Sequence, residues 1–134
     1  MFGFFKKKEN EPKKGLVEEK VLSPEATEKI RSEITHLNQE ISTTQDKDRL
    51  AKLYEQAGLK FSELYENDQA IRCLEKSLEN KQTIGDGYKK LMSLYNRKRA
   101  DAARAGDDQG IDYYMVKMDE MRQIAKQVTI KGNK

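Results

Sequence analysis

LAKLYEQAGLKFSELYENDQAIRCLEKSL, residues 50 to 78, is the stretch that decides the fold. Leu50, Leu53, Tyr54, Ala57, Phe61, Leu64 and Tyr65 recur at steps of three and four, the period of one helix face. Charged Lys52, Glu55, Lys60 and Glu63 fill the other face. Gly58 interrupts the run at a cost of about 1 kcal/mol relative to alanine, which points to the close approach of a second helix. Glu66-Asn67-Asp68 breaks the pattern, and Asp68 is expected to cap the next helix by accepting from its first free amides. Ala70, Ile71, Leu74 and Leu78 form the second stripe. So short a turn predicts antiparallel neighbours.

Upstream, Ser23-Pro24-Glu25 is a helix start: a serine cap, proline at the first position and an acid in the first turn. Ala26, Ile30, Ile34, Leu37 and Ile41 follow as a narrow seam, which can pack on the Leu50 helix or pair with its copy in a homodimer. The short loop from Ser42 to Lys47 favours packing within the chain, and Asp46 or Asp48 can cap the helix after it. Downstream, Asn80 to Gly87 is a break, with Gly85-Asp86-Gly87 a turn signal. It lacks the strand, the third glycine and the Lys-Ser/Thr of a phosphate loop. A further helix runs from about Asp86 through Tyr88, Leu91, Met92 and Tyr95 to Arg104. Ala105-Gly106-Asp107-Asp108 is a turn with a helix-ending glycine and an acidic cap. The last helix carries Ile111, Tyr114, Met115, Met118, Met121, Ala125 and Val128 on one face, and Thr129 to Lys134 reads as frayed. The expectation is an all-α chain of about five helices with no strand.

The central hairpin resembles a tetratricopeptide repeat (TPR), a helix–turn–helix unit of about 34 residues. Tyr54, Ala57, Gly58 and Phe61 stand where the family has a large aromatic, a leucine, a glycine and an aromatic. Ala70, Leu74, Ser77 and Leu78 match the pattern of its second helix, and the closing proline is missing. An offset of 34 residues takes Tyr54 to Tyr88, Ala57 to Leu91 and Phe61 to Tyr95, after which the register fails. That failure reads as a first helix lengthened by about six residues. The resemblance implies antiparallel hairpins stacked as a short TPR-like solenoid over residues 23–130. It also implies a concave groove, lined by the first helix of each hairpin, that holds a peptide or a partner helix. By position the groove residues are Lys52, Glu55, Leu59, Ser62 and Glu63, then Asp86, Lys89, Ser93, Asn96 and Arg97. The set is mixed in sign and does not reproduce the lysine-and-asparagine clamp with which some family members hold a C-terminal carboxylate. Two repeats fall below the usual minimum of about three, so the first helix or a second subunit must cover an open face.

Residues 1–22 are expected to form a flexible basic and aromatic tail. Phe2, Phe4 and Phe5 followed by Lys6, Lys7 and Lys8 could make weak contact with an anionic membrane surface, the lysines adding about 1 kcal/mol each. The rest of the tail is polar and carries Pro12 and Gly15. Charged residues make up 37% of the 134 and hydrophobic residues 36%, a balance that suits one helical domain with a thin core. With one cysteine and one histidine, a disulfide framework and a Cys/His zinc site are excluded. No apolar run approaches the roughly 20 residues that span a bilayer, and the cytoplasm is the expected compartment.

No catalytic set is assembled by the sequence. His36 reads as a boundary residue of the first helix, Cys73 as a structural thiol, and no cofactor or metal is expected. The Met115, Met118 and Met121 stripe reads as core rather than an adaptable groove. The second functional reading is a nucleic-acid-associated helical protein. Arg97-Lys98-Arg99 and Arg104 would meet phosphates while Tyr95, Tyr113 and Tyr114 stacked on bases. A net charge of only +3, with Asp101, Asp107, Asp108 and Asp112 close by, argues against it. A non-enzymatic adaptor or scaffold for another protein is therefore the leading expectation.

Overall fold

The computed structural model describes residues 21–132 as five α-helices: α1 (Pro24–Thr43), α2 (Lys47–Glu63), α3 (Asn67–Asn80), α4 (Asp86–Arg104) and α5 (Asp108–Gly132). Among the described residues there is no strand. Most helix starts have a local cause. The Ser23 hydroxyl accepts from the Ala26 amide at 3.0 Å, and Pro24 has no amide to leave unpaired. Asp46 accepts from the Arg49 amide at 2.9 Å, and Asp107 from the Gly110 amide at 3.0 Å. Asp68 does not cap α3 as its sequence position predicts. It lies inside the first turn and pairs with Lys98 of α4 at 2.6 Å. Gly85 has no side chain with which to cap α4, and Glu55 of α2 does so instead, accepting from the Gly87 amide at 2.7 Å. The α5 helix also runs on to Gly132, past the fraying expected from Thr129, with Lys131 opposite the negative end of its dipole.

Helices pack in chain order, α1 on α2 and so on to α5, and α2 also reaches α4. The α1 seam is spent inside the chain: Ile30 and Ile34 are buried, and Lys60 of α2 pairs with Glu33 at 3.1 Å. The core is centred on α3, whose Ala70, Ile71, Leu74 and Leu78 meet Leu91, Leu94 and Tyr95 of α4 and Met121 of α5. At Gly58 the α2 and α3 backbones come close. A Cβ there would lie 2.6 Å from Leu74 Cγ and 3.2 Å from the Ala70 carbonyl oxygen, so glycine is required for space. The buried Ser77 hydroxyl donates to the Ala51 carbonyl at 2.7 Å, fixing the antiparallel register of the pair. In the α4–α5 pair, the Tyr88 hydroxyl does the same to the Met121 carbonyl at 2.9 Å. The methionine stripe divides: Met121 is buried, Met118 packs on the core, and Met115 is 49% exposed. The inward face of α5 steps from Tyr114 to Met118 to Met121, which leaves Met115 on its flank.

Both hairpin turns have the same geometry. Glu66 N–H donates to Phe61 C=O and Tyr65 N–H to Ser62 C=O, each at 3.0 Å; Asp107 donates to Ala102 at 2.8 Å and Gly106 to Ala103 at 3.1 Å. This is the Schellman closure, with a left-handed residue at its apex. That residue is Tyr65 (φ 58°) in one turn and Gly106 (φ 71°) in the other. The two apices stand 41 residues apart, seven beyond the offset of 34. The end of α4 is thus displaced by seven residues rather than the expected six. Seven residues are two helical turns, which return a face to within about 20° of its starting direction.

Candidate functional site

One face of α4 and the C-terminal half of α2 border an open cleft of about 910 Å³. On the α2 side it is lined by Leu59, Ser62 and Glu63, then by Tyr65 and Asn67 at the turn. The α4 wall runs the length of the helix. Asp86, Lys89, Ser93, Arg97, Ala100 and Arg104 follow one another at steps of three and four, flanked by Lys90, Leu94 and Asn96. Leu22, just ahead of α1, closes one edge.

Of the positions predicted from sequence, Leu59, Ser62, Glu63, Asp86, Lys89, Ser93, Asn96 and Arg97 lie along this cleft. Two do not. Lys52 is exposed on α2 outside the lining, and Glu55 is committed to the α4 amide. Sequence reasoning missed Leu22, Tyr65, Asn67, Lys90, Leu94, Ala100 and Arg104. Continuing the α4 step from Arg97 to Ala100 and Arg104 would have found two of them. Leu22 and Tyr65 depend on the path of the chain outside the helices, which no periodicity reports.

The changes in lining alter the charge. Four cations (Lys89, Lys90, Arg97 and Arg104) face two carboxylates (Glu63 and Asp86). Glu63 has the Lys60 ammonium 3.8 Å away, and Asp86 lies in the first turn of α4, where the helix dipole favours an anion. Arg104 pairs with Asp101 on its own helix. Among the described residues, Lys89, Lys90 and Arg97 have no carboxylate within 4.0 Å. Lys98, on the same helix but turned away from the cleft, is paired. Its hydrogen bond to Asp68 raises the Lys98 pKa and holds the Asp68 carboxyl below the ordinary 3.8.

A second, shallower depression of about 200 Å³ is lined by Asp68, Ile71, Arg72, Glu75, Tyr95, Tyr113 and Tyr114. The tyrosines of the nucleic-acid reading line this depression, whereas Arg97 and Arg104 line the larger cleft. Tyr95 is buried, and its hydroxyl donates to Glu75. Burial, then Glu75, push its phenol far above the ordinary range, so it remains a donor. Tyr113 and Tyr114 meet edge to face at 4.9 Å, and the Lys117 ammonium lies 5.8 Å from the Tyr113 ring and 3.9 Å from Glu75. The tyrosine faces are therefore partly engaged within the chain.

His36 is exposed on α1, and Cys73 is half-buried on α3. Burial pushes the Cys73 thiol up, with Arg72 and Lys76 offsetting part of the shift, which leaves it a poor nucleophile. Among the described residues no group of three or more His, Cys, Asp or Glu could hold a metal ion. Nor is any described helix long and apolar enough to cross a membrane. The aromatic and basic positions Phe2, Phe4, Phe5, Lys6, Lys7 and Lys8 lie outside the described residues. Compared with known proteins, the chain matches no family model, no curated sequence and no solved structure.

Proposed function

We propose that this protein is a non-enzymatic, TPR-like interaction module, an adaptor or scaffold that holds a peptide or partner helix of another protein in the cleft between α2 and α4. The observation that carries the reading is the cleft itself: the first helices of two successive hairpins border one continuous open surface. Three features support a repeat-like origin for the hairpins. They share one turn geometry, each is an antiparallel pair, and each stacks on the next through α3 and α4. With two hairpins only, α1 supplies the cover that a third repeat would otherwise give. The protein acts in the cytoplasm, and the Phe2 to Lys8 tail would bring it to the inner face of an anionic membrane. The nucleic-acid reading is weaker, because Arg97 and Tyr95 belong to different depressions.

The test is a pull-down from native lysate after nuclease treatment, comparing the wild type with a Lys89→Glu, Arg97→Glu variant that still melts as a cooperative helical protein. The expected result is a defined protein held by the wild type and lost from the variant. Identical captures by both would end the cleft reading. Captures that vanish from the wild type on nuclease treatment would move it to nucleic acid.

A further inference from the structure

Along α4 the cleft presents its cations at three levels. Lys89 and Lys90 form the first, Arg97 the second and Arg104 the third. At 1.5 Å per residue, successive levels are about 10–12 Å apart. An extended peptide covers that distance in about three or four residues. The facing wall offers one carboxylate, Glu63, already held by Lys60, and otherwise Leu59, Ser62, Tyr65 and Asn67. Along α4, Leu94 and Ala100 fall between the charged levels, and Leu22 and Leu59 add apolar surface from other parts of the lining. Among the described residues no carboxylate answers Lys89, Lys90 or Arg97, whereas Lys98 on the other side of the same helix has its partner at 2.6 Å. Tyr65, which holds the left-handed conformation that glycine holds in the equivalent turn, also lines the cleft.

From this charge complementarity we infer that the cleft's occupant is an acidic segment of another protein. It is bound extended along α4, with carboxylates three or four positions apart and apolar side chains between them. The inference rests on the interaction-module reading and gives its partner a chemistry. The carboxylates meet Lys89, Lys90, Arg97 and Arg104, the apolar side chains meet Leu59 and Ala100, and Tyr65 packs over the end nearest the turn. Because the cations are solvent-accessible, binding weakens as salt shortens the screening length, about 10 Å at 0.1 M.

The experiment is selection of a random twelve-residue peptide library on the full chain at low salt, followed by affinity measurements on synthetic copies of the recovered peptides. Three proteins are compared: the wild type, a Lys89→Gln, Arg97→Gln variant, and a Ser93→Trp variant that fills the cleft without changing its charge. The expected result is recovery of Asp- and Glu-rich peptides spaced as above. Their affinity falls at least tenfold in both variants and falls with salt in the wild type. Neutral or basic peptides that Ser93→Trp abolishes would overturn the acidic inference while leaving the interaction module standing. Peptides that bind all three proteins equally, or none recovered, would overturn both. A synthetic peptide of residues 9–20 that outcompetes the selected peptides would make the occupant the chain's own segment. Self-association lost in Lys89→Gln, Arg97→Gln would make it a second copy. Either result would overturn the assignment to another protein.

Discussion

The two hairpins, α2–α3 and α4–α5, close through the same hydrogen bonds yet reach that geometry by opposite choices of residue. In the first, the glycine is inside the helix: Gly58 lets α3 approach until Leu74 and the Ala70 carbonyl occupy the space of a side chain. Its turn residue is then Tyr65, where a side chain is strained. In the second, glycine takes the turn as Gly106, and the helices are held through larger groups, with Tyr88 reaching over to the Met121 carbonyl. Their surroundings differ too. The first hairpin lies between α1 and α4, whereas α5 has α4 as its main neighbour and leaves Tyr113, Met115, Val116 and Ile130 about half exposed. The lesson is that one fold element can be specified by backbone proximity or by side-chain reach. Only the first leaves a strong mark in sequence, a glycine where a helix disfavours it.

The largest effects should come from the close contact. Leu74→Ala removes a side chain that is 1% exposed and is expected to cost about 3 kcal/mol or more in urea unfolding. Gly58→Ala gains about 1 kcal/mol of helix propensity but drives a Cβ into Leu74. Overpacking of this kind costs typically 1–3 kcal/mol, so the net loss should be about 0–2 kcal/mol. If Leu74 is the obstacle, the double variant must be less destabilised than the sum of the two single variants, by about 1 kcal/mol. Strict additivity would show that the glycine serves some other purpose, such as the Ala70 carbonyl at 3.2 Å.

This contrast also explains how much could be read in advance. The five helices, the reason for Gly58 and the caps at Ser23 and Asp46 are local or periodic features, and residues three or four apart report them directly. Asp68 was misread because a capping pattern is local while its real partner, Lys98, is 30 residues away on another helix. Glu55 misled for the same reason: its helical position matches a groove, but the amide of Gly87 claims its carboxylate. The cleft's α4 wall was legible as far as the sequence offset held, to Arg97. Its continuation to Arg104 needed the two extra turns of α4. Tyr65 was assigned to the apolar face of α2, when the chain had already left that helix at Glu63.

Exchanging the turn residues sharpens the comparison at a smaller scale. Gly106→Ala meets nothing within 4 Å, so its cost is conformational alone, about 1 kcal/mol for placing a Cβ in the left-handed region. Tyr65→Gly removes the same strain but also the tyrosine's own contacts, and its net effect on stability should lie within about 1 kcal/mol of zero. Thermal melts of the two variants decide the matter. A large destabilisation by Tyr65→Gly would mean that the ring belongs to the fold rather than to the cleft. A neutral melt with weakened capture of the partner would separate its role from that of Gly106.

The smallest expected effect belongs to an ion pair between the hairpins. Lys98 of α4 pairs with Asp68 of α3, and the hydrogen bond and charge of Lys98 lower the Asp68 pKa below the ordinary 3.8. Between the lowered value and 3.8 the unfolded chain binds the extra proton. The pair's stabilisation is therefore complete above pH 3.8 and is lost as pH falls through the folded-state value. Lys98 is shifted the other way, so its share is present below 10.5 and fades only in more alkaline solution. Asp68 is 64% exposed, and solvent screening reduces the whole contribution to about 0.3 kcal/mol. A Lys98→Met variant should accordingly unfold slightly earlier in urea than the wild type at pH 7, with the gap closing as pH falls below 3.8 and through the lowered Asp68 value. A gap that stays constant throughout the acid range would mean that Lys98 joins the hairpins through the packing of its alkyl chain. The Tyr95 hydroxyl, which donates to Glu75, would then be the polar link across the α3–α4 seam.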